Sequence, residues 1–367
     1  MRQIRLASGA GMTRYGADTQ QIRTGTMLTE HSRTSQALMR TMLTGEQVRR
    51  AAQILAPMID EPAEEGGTVS RAAFAAAMNQ ILFLDLLERV PSGALYVAEA
   101  EREGRRVVFD HGAVRSVCLP AGDTGALPRG ELAFRRILEP LGYHVAAVYP
   151  LPKLGMTGRA YRHRDFPETL PQFFVSELHV DRFDGRFAAA AERVFGTARD
   201  PLDEQAKRVL RAFAAGRAVD LDQACRAMPV IVGAFGRHHE TPALADYETL
   251  RASSREAAWI ATEGNAFNHA TDRVADVEAF AEAQRRLGRP IKDRVERSAN
   301  GRVRQTAFRA DMVQRLFRTA DGGEIMMTVP GSFYEFISRD TDPETGMLDL
   351  SFDSGNATGI FTMTRGA

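Results

Sequence analysis

The spacing of apolar and polar positions predicts helices near the start of the chain. Thr44 and Gln47 have the form of a capping box, and an amphipathic stretch follows it to about residue 59, with apolar side chains at helical spacing. Ser70 precedes a second, Ala- and Leu-rich stretch that ends at Pro91. Residues 44–92 are therefore predicted to form N-terminal helices that serve as a scaffold.

Two strand-rich segments follow, with helical sequence between them. The first module, residues 93–183, is predicted to hold strands at 105–117, 142–149 and 173–180 and a helix near 130–138. Residues 184–262 return to helical patterns and form a predicted insertion. The second module, residues 263–367, has a helix at 275–287 that Gly288 and Pro290 terminate. Its predicted strands lie at 265–274, 303–309, 324–329, 333–339 and 348–352.

The two strand-rich modules share an order of features. Each begins with a strand that carries His-x-x-x-Arg, which is His111 with Arg115 in the first and His269 with Arg273 in the second. Each continues through a helix to a Leu-Gly pair, at 141–142 and 287–288. This self-similarity indicates a duplicated module in an α+β protein.

Composition narrows the class of protein. The 367 residues include 47 basic and 47 acidic side chains, so the net charge of zero disfavours a nucleic-acid binder that relies on bulk charge. Three of the basic residues are lysines and the other 44 are arginines. Cys118 and Cys225 are too few for a disulfide framework or a thiolate zinc site, which fits a reducing, cytoplasmic compartment. The longest apolar runs are far shorter than the ~18 residues that span a bilayer, so no membrane partner is expected.

Residues 1–43 are rich in Arg, Ser and Thr and lack the apolar core of a secretory signal. We expect a disordered extension or the product of a start codon placed too early. An organellar presequence is the alternative. No function is assigned to this segment.

Three residues in predicted strands could hold a metal ion. His111 and His269 occupy matching places in the two modules, so both imidazoles could point into one cup. Glu335 lies in an apolar and aromatic strand, where a carboxylate is costly to bury unless it is paired or binds a cation. Two imidazoles and one carboxylate form the facial triad of non-haem iron(II), and the same set serves catalytic zinc. The ligands alone leave the metal open.

Each candidate ligand is followed by an arginine four residues on. These are Arg115, Arg273 and Arg339. Residues i and i+4 of a strand face the same way, roughly 13 Å apart. Arg115 could therefore clamp a carboxylate at the far end of a cavity whose metal is held by His111, a task that suits a bidentate guanidinium. Arg273 and Arg339 are as consistent with a structural role.

Several blocks together resemble the 2-oxoadipate dioxygenase/decarboxylase family, also called hydroxyglutarate synthase. The resemblance covers roughly residues 70–365 and rests on DHGAVR at 110–115, FVSEL at 174–178, GNAFNHATDRV at 264–274, RQTAF at 304–308 and GSFYEF at 331–336. It implies a vicinal-oxygen-chelate, or glyoxalase-like, fold in which duplicated βαβββ modules form a metal-binding cup.

The resemblance also implies a site and a reaction. By motif, the family's Fe(II) ligands fall on His111, His269 and Glu335, and its substrate-recognising arginine falls on Arg115. His111 and His269 would also border the bound substrate. The reaction implied is 2-oxoadipate plus O2 giving 2-hydroxyglutarate and CO2, in lysine catabolism. Gln305 could touch the substrate or serve only as a strand residue.

Three hypotheses about function stay open. The first is the dioxygenase/decarboxylase activity that the resemblance implies. Only 32 residues follow Glu335, so the chain resembles a shorter branch of the family, and the chain length of the substrate is not fixed. The second reading keeps the metal without O2 chemistry, as in glyoxalase-type isomerases or zinc hydrolases. The third is a non-enzymatic protein that binds a small acid.

Overall fold

A single curled sheet of eight strands forms a half-barrel that positions the candidate site. The computed structural model describes residues 32–59 and 67–352. The described chain contains the helices α1 Arg33–Met39, α2 Gly45–Ile54, α3 Arg71–Arg89, α4 Pro91–Arg102, α5 Leu132–Leu138, α6 Gly185–Phe195, α7 Glu204–Ala214, α8 Leu221–Gly233, α9 Leu244–Ser253, α10 Arg255–Glu263 and α11 Val277–Arg286. Its strands are β1 Thr68–Val69, β2 Phe109–Cys118, β3 Tyr143–Leu151, β4 Met156–His163, β5 Gln172–His179, β6 Val219–Asp220, β7 His269–Arg273, β8 Glu296–Arg297, β9 Val303–Ala307, β10 Met312–Arg318, β11 Glu324–Pro330 and β12 Phe333–Arg339.

The large sheet is built from two copies of one βαβββ unit. Its strand order is β3-β4-β5-β2-β7-β12-β9-β8. The first unit is β2-α5-β3-β4-β5 and the second is β7-α11-β8-β9-β12, and each closing strand runs parallel to the opening strand of its own unit. β2 and β7 pair antiparallel at the centre. The predicted α+β fold of duplicated modules that form a cup is confirmed.

A local two-fold axis relates the two units. In the β2–β7 register, Gly112 faces Ala270 and Ala113 faces His269. The axis that relates Gly112 to Ala270 therefore also relates His111 to His269, because each histidine lies one residue earlier on its strand. The two histidines lie at equivalent positions, as the repeated His-x-x-x-Arg pattern predicts.

The N-terminal helices cover the convex face of the sheet. The Thr44 capping box is confirmed, since Thr44 Oγ1 accepts from Gln47 N and Gln47 Oε1 accepts from Thr44 N. α3 is buried along most of its length, and Phe83 packs against Phe109 and Tyr334 of the sheet. A helix that is apolar on all sides belongs in a protein interior, and α3 fills the core behind β2 and β12.

Two helices near the start of the described chain differ from the prediction. Within the segment 1–43, predicted to be a disordered extension, α1 is an ordered helix whose Leu38 and Met39 are fully buried; residues 1–31 lie outside the described residues. Pro91 ends one helix, as predicted, and also opens α4, because a proline at the first helical position loses no hydrogen bond.

In the strand-rich regions, the sequence analysis does not predict β4, β8 or β10. β10 and β11 form a separate hairpin between β9 and β12 and do not join the large sheet. Residues 348–352 form no strand, and Leu348 makes a single bridge with Thr341. No helix in the described ranges is long and apolar enough to cross a membrane.

Candidate metal centre

His111, His269 and Glu335 meet on the concave face of the sheet. One ligand atom from each residue lies within 4.8 Å of the others. His111 Nε2 is 3.8 Å from Glu335 Oε1, and His269 Nε2 is 3.6 Å from Glu335 Oε2. Strand register brings them together, because Thr271 of β7 pairs with both His111 of β2 and Glu335 of β12. The three candidate ligands are thus placed by the duplicated sheet.

The chemistry of this donor set fits a cation. Both carboxylate oxygens of Glu335 and Nε2 of His269 are buried without a hydrogen-bond partner in the described chain. Burial raises the pKa of Glu335 to about 8, with Lys292 the main charge that opposes the rise. Burial also lowers the pKa of His269 well below its ordinary range. A divalent ion would pair the costly buried carboxylate and use the neutral imidazoles as ligands.

Each histidine is oriented by the residue before it. His111 Nδ1 lies 2.8 Å from Asp110 Oδ1, and His269 Nδ1 lies 3.3 Å from Asn268 Oδ1. Both oxygens are acceptors, so each Nδ1 carries the proton and each Nε2 presents its lone pair, toward which the Thr271 hydroxyl can donate at His111, at 3.1 Å. This is the tautomer that a metal ligand requires, with the orienting group that commonly accompanies it.

Arg273 and Arg339 hold the carboxylate that orients His111. Arg273 Nε donates to Asp110 Oδ2 at 2.7 Å, and Arg339 donates to Asp110 Oδ1 at 2.9 Å through Nη2. Burial would raise the pKa of Asp110, but Arg339, His111 and Arg273 hold it well below its ordinary value. A register shift between Phe109 and His111 leaves Asp110 without a strand partner and turns it toward these cations. Two of the three arginines at the i+4 spacing therefore contact this buried acid.

Arg115 occupies a different place. Its side chain is buried and its guanidinium carbon lies 4.9 Å from the ring centre of Trp259, which α10 supplies. Burial lowers the pKa of Arg115 to about 10, a change that Glu256 partly opposes. Arg115 remains a cation at neutral pH, and its charge contributes to lowering the pKa of His269. The structure separates this arginine from the pair that holds Asp110.

A polar group lines the β9 side of the cup. Gln305 of β9 is 5% exposed, which excludes a surface position, and its Nε2 donates to Glu296 Oε2 at 3.4 Å. Glu296 Oε1 accepts from Lys292 Nζ at 2.9 Å. Gln305 thus belongs to a chain of polar side chains on the wall of the cup.

The segment after β12 packs against the strands that carry the candidate ligands. Its backbone is held by Arg339, which donates to the carbonyls of Asp349 and Ser351, each at 2.8 Å. The ring of Phe352 lies edge-on to His111, with 4.8 Å between ring centres, and packs against Phe174. This segment therefore brings an aromatic wall to the candidate ligands.

Sequence reasoning missed Asp110, Trp259, Lys292 and Phe352 as neighbours of the site. A usable signal existed for the first, because both histidines follow an Asp or Asn whose side chain can accept from Nδ1. Trp259 and Phe352 come from the insertion and from the segment beyond β12, and no spacing within a strand reveals them.

Comparisons with known proteins agree on one family. The family profile described as 2-oxoadipate dioxygenase/decarboxylase matches residues 82–342. Proteins named 2-oxoadipate dioxygenase/decarboxylase from Mycobacterium bovis and Mycobacterium tuberculosis are each 30% identical over 238 residues, which are 61% of this chain and 56% of theirs. The chain thus spans about half the length of the curated relatives that it matches.

Solved structures show the same fold. A glyoxalase superfamily protein from Ralstonia eutropha JMP134 is 46% identical, with a TM-score of 0.83 over 87% of this chain and 98% of its own. The hydroxyglutarate synthase from Oryza sativa, solved in complex with 2-oxoadipate, is 20% identical, with a TM-score of 0.61 over 83% of this chain and 98% of its own. Because the family profile matches most of the chain, the chain belongs to the 2-oxoadipate dioxygenase/decarboxylase family.

Proposed function

We propose that the protein is an Fe(II)-dependent dioxygenase/decarboxylase of a 2-oxo dicarboxylic acid, with 2-oxoadipate as the first candidate. The products would be 2-hydroxyglutarate and CO2, formed with the two oxygen atoms of O2, in a step of lysine catabolism. One observation carries the proposal: a buried His-His-Glu triad shares the concave face of β2 with a buried cation, Arg115. Family membership and the 2-oxoadipate bound to the Oryza sativa protein support the substrate class.

Different residues of the cup would bind the two ends of the substrate. His111, His269 and Glu335 would hold the metal through Nε2, Nε2 and the carboxylate. Bound iron(II) would supply open coordination positions for a 2-oxo acid and the electrons for reaction with O2. Arg115, stacked on Trp259, would bind the distal carboxylate through a two-pronged hydrogen bond. Asp110 would keep the His111 ring oriented throughout.

Burial supports this division of roles. The side chains of His111, Glu335 and Arg115 are each at most 2% exposed, so a substrate between them is shielded from water. Charges interact more strongly where water is excluded, which favours an acid with a carboxylate at each end. A monocarboxylic 2-oxo acid would leave the guanidinium of Arg115 without that partner.

The direct test is oxygen uptake. Protein loaded with iron(II) under anaerobic conditions would be assayed with 2-oxoadipate, 2-oxoglutarate and an aromatic 2-oxo acid, with CO2 and the hydroxy acid measured as products. We expect the highest kcat/KM with a dicarboxylate. Absence of oxygen uptake with every acid, while iron is bound, would contradict the proposal.

Arg115→Lys tests the role of the guanidinium. We expect the variant to retain iron and to raise the KM for 2-oxoadipate by roughly 10-fold or more, since charged hydrogen bonds contribute about 1.5–3 kcal/mol. Arg135→Lys, which alters an exposed ion pair with Glu139, is the matched control and should leave KM unchanged. An unchanged KM in Arg115→Lys would remove Arg115 from the binding site.

A second candidate keeps the metal without O2 chemistry. The same ligand set suits catalytic zinc, and the relative that is 46% identical is described only as a glyoxalase superfamily protein. Metal analysis of protein purified without chelator separates the two. Full occupancy by zinc or nickel, with no oxygen uptake after iron loading, would favour an isomerase or hydrolase.

A further inference from the structure

A lysine side chain is withdrawn from solvent on the wall of the cup. All three lysines of the chain lie in described residues. Lys153 is exposed and the side chain of Lys207 is 35% exposed, whereas that of Lys292 is only 13% exposed. Removing an ammonium group from water is unfavourable unless it is paired. The position of Lys292 therefore calls for a physical explanation.

Strand register places Lys292 in line with the candidate ligands. Its backbone N donates to the carbonyl of Ala307 at 2.9 Å, and Ala307 pairs with Glu335 across β9 and β12. Two strand spacings separate Lys292 from Glu335, roughly 10 Å between Cα atoms, and a lysine side chain bridges much of that gap. The positive charge of Lys292 also contributes, after burial and the nearer charges, to lowering the pKa of His269.

The side chain and its backbone are held in place. Glu296 Oε1 accepts from Lys292 Nζ at 2.9 Å, and Gln305 Nε2 donates to Glu296 Oε2 at 3.4 Å. Arg285 Nη2 donates to the carbonyls of Lys292 and Asp293, at 3.1 and 2.8 Å. The ammonium is thus fixed in place before any ligand arrives.

A fixed cation beside a metal site has a clear electrostatic consequence. Its charge, which the nearby Glu296 offsets only in part at Glu335, repels a divalent ion and so weakens metal binding unless an anion joins the centre. It favours the complex once an anionic group binds next to the metal. A buried ion pair by itself is weak evidence for stabilisation, since apolar residues of similar volume often serve as well. The arrangement favours a role in binding an anion over one in folding.

We propose that Lys292, positioned by Glu296, binds the carboxylate at the 2-oxo end of the substrate, while Arg115 binds the distal carboxylate. This inference rests on the proposed function, because it takes the ligand at the triad to be a 2-oxo acid. It assigns the two cations to opposite ends of one molecule. The two contacts can therefore be separated with ligands that differ only at the distal end.

The experiment measures binding of two acids of equal chain length under anaerobic conditions. 2-Oxoadipate has a distal carboxylate and 2-oxohexanoate has a methyl group in its place. Metal-loaded protein would be titrated by calorimetry and through the fluorescence of Trp259, which is the single tryptophan of the chain and stacks on Arg115. The variants are Lys292→Met, Lys292→Arg and Arg115→Lys, with Lys207→Met as the control.

We expect Lys292→Met to weaken binding of both acids by the same factor, roughly 10-fold or more. Lys292→Arg should restore most of the affinity, and Arg115→Lys should weaken 2-oxoadipate alone. Metal affinity without substrate should rise in Lys292→Met, because the repelling charge is gone, a result that a merely structural role would not give. Lys207→Met should match the wild type.

Two outcomes would overturn the inference while the proposed function stands. Wild-type affinity of Lys292→Met for both acids would remove Lys292 from the site, and selective loss of 2-oxoadipate would place it at the distal end. Thermal melting of Lys292→Met beside the wild type controls for loss of folding, and the affinity of Lys292→Arg, which keeps the charge, decides the question if Lys292→Met is unstable. Failure of the wild-type protein to bind either acid would instead overturn the proposed function.

Discussion

Replacement of Asp110 by asparagine tests how the centre is held together. Asp110 is fully buried and accepts hydrogen bonds from Arg273, Arg339 and the Nδ1 of His111. Asparagine keeps the shape but loses the charge, and its amide group turns two hydrogens toward groups that also donate. The change therefore leaves two guanidinium groups without their anion and removes the fixed acceptor of His111.

The expected magnitude follows from these contacts. Removal of one partner of a buried ion pair costs about 3–5 kcal/mol. We expect about 3 kcal/mol here, because Arg273 retains some exposure and Arg339 keeps the carbonyls of Asp349 and Ser351 as acceptors. At roughly 2 °C per kcal/mol for a chain this long, the melting temperature should fall by about 6 °C. Metal affinity should fall about 10- to 100-fold, as for other groups that orient a ligand histidine.

The assays are thermal melting with and without metal, and a cobalt(II) titration against a competing chelator. Asp165→Asn is the control, because Asp165 makes an exposed ion pair with Arg71 and its loss should cost less than about 1 kcal/mol. Since the pKa of Asp110 is lowered in the folded protein, its contribution is present above the unfolded value of about 4 and is lost as pH falls further. Wild-type metal affinity in Asp110→Asn would refute the claim that this carboxylate orients His111.

Three further predictions concern other groups around the sheet. Burial raises the pKa of Asp272 to about 7, so ionisation of this carboxyl destabilises the fold as pH rises from about 4 to 7. Asp272→Asn should therefore be more stable than the wild type by on the order of 2–4 kcal/mol at pH 8, and by less at pH 5, as measured by denaturant unfolding. An equal gain in stability at both pH values would contradict this. Burial raises the pKa of Glu335 to about 8 and lowers those of both histidines, so metal binding at pH 7 should release roughly one proton, counted by calorimetry in buffers of different ionisation enthalpy. Phe352→Ala should raise kcat/KM for aromatic 2-oxo acids relative to 2-oxoadipate, because the ring borders His111; an unchanged ratio would place it outside the path of the substrate.

The candidate ligands could be predicted because their signals lie within single strands. A histidine at the same place in two similar segments, and an acid in an apolar strand, are visible without knowledge of tertiary contacts. The roles of the arginines could not be predicted, although Arg115, Arg273 and Arg339 share one spacing. The register shift beside His111 turns Asp110 toward two of them, and such an irregularity leaves no mark on the hydrophobic pattern.

Elements with weak local patterns were the ones missed. β4 has the sequence MTGRAYRH, in which a glycine, two arginines and a histidine interrupt the apolar alternation, and its pairing with β3 and β5 makes it a strand. α1 is seven residues long and has little intrinsic stability, so the burial of Leu38 and Met39 decides its structure. In both cases tertiary packing prevails over local preference.

The two units of the sheet differ at one position beside the candidate metal centre. The two-fold axis that exchanges His111 with His269 also exchanges Phe174 of β5 with Glu335 of β12, since Phe174 pairs with Ala113 and Glu335 with Thr271. A carboxylate at both places would give four protein ligands and a closed, structural type of metal site. Phe174 puts an apolar ring at that position, so the sheet offers three candidate ligands and would leave the remaining coordination positions of a bound ion open. Two neutral imidazoles and one carboxylate would leave a bound divalent ion with net positive charge, which an anionic substrate of the proposed class would neutralise.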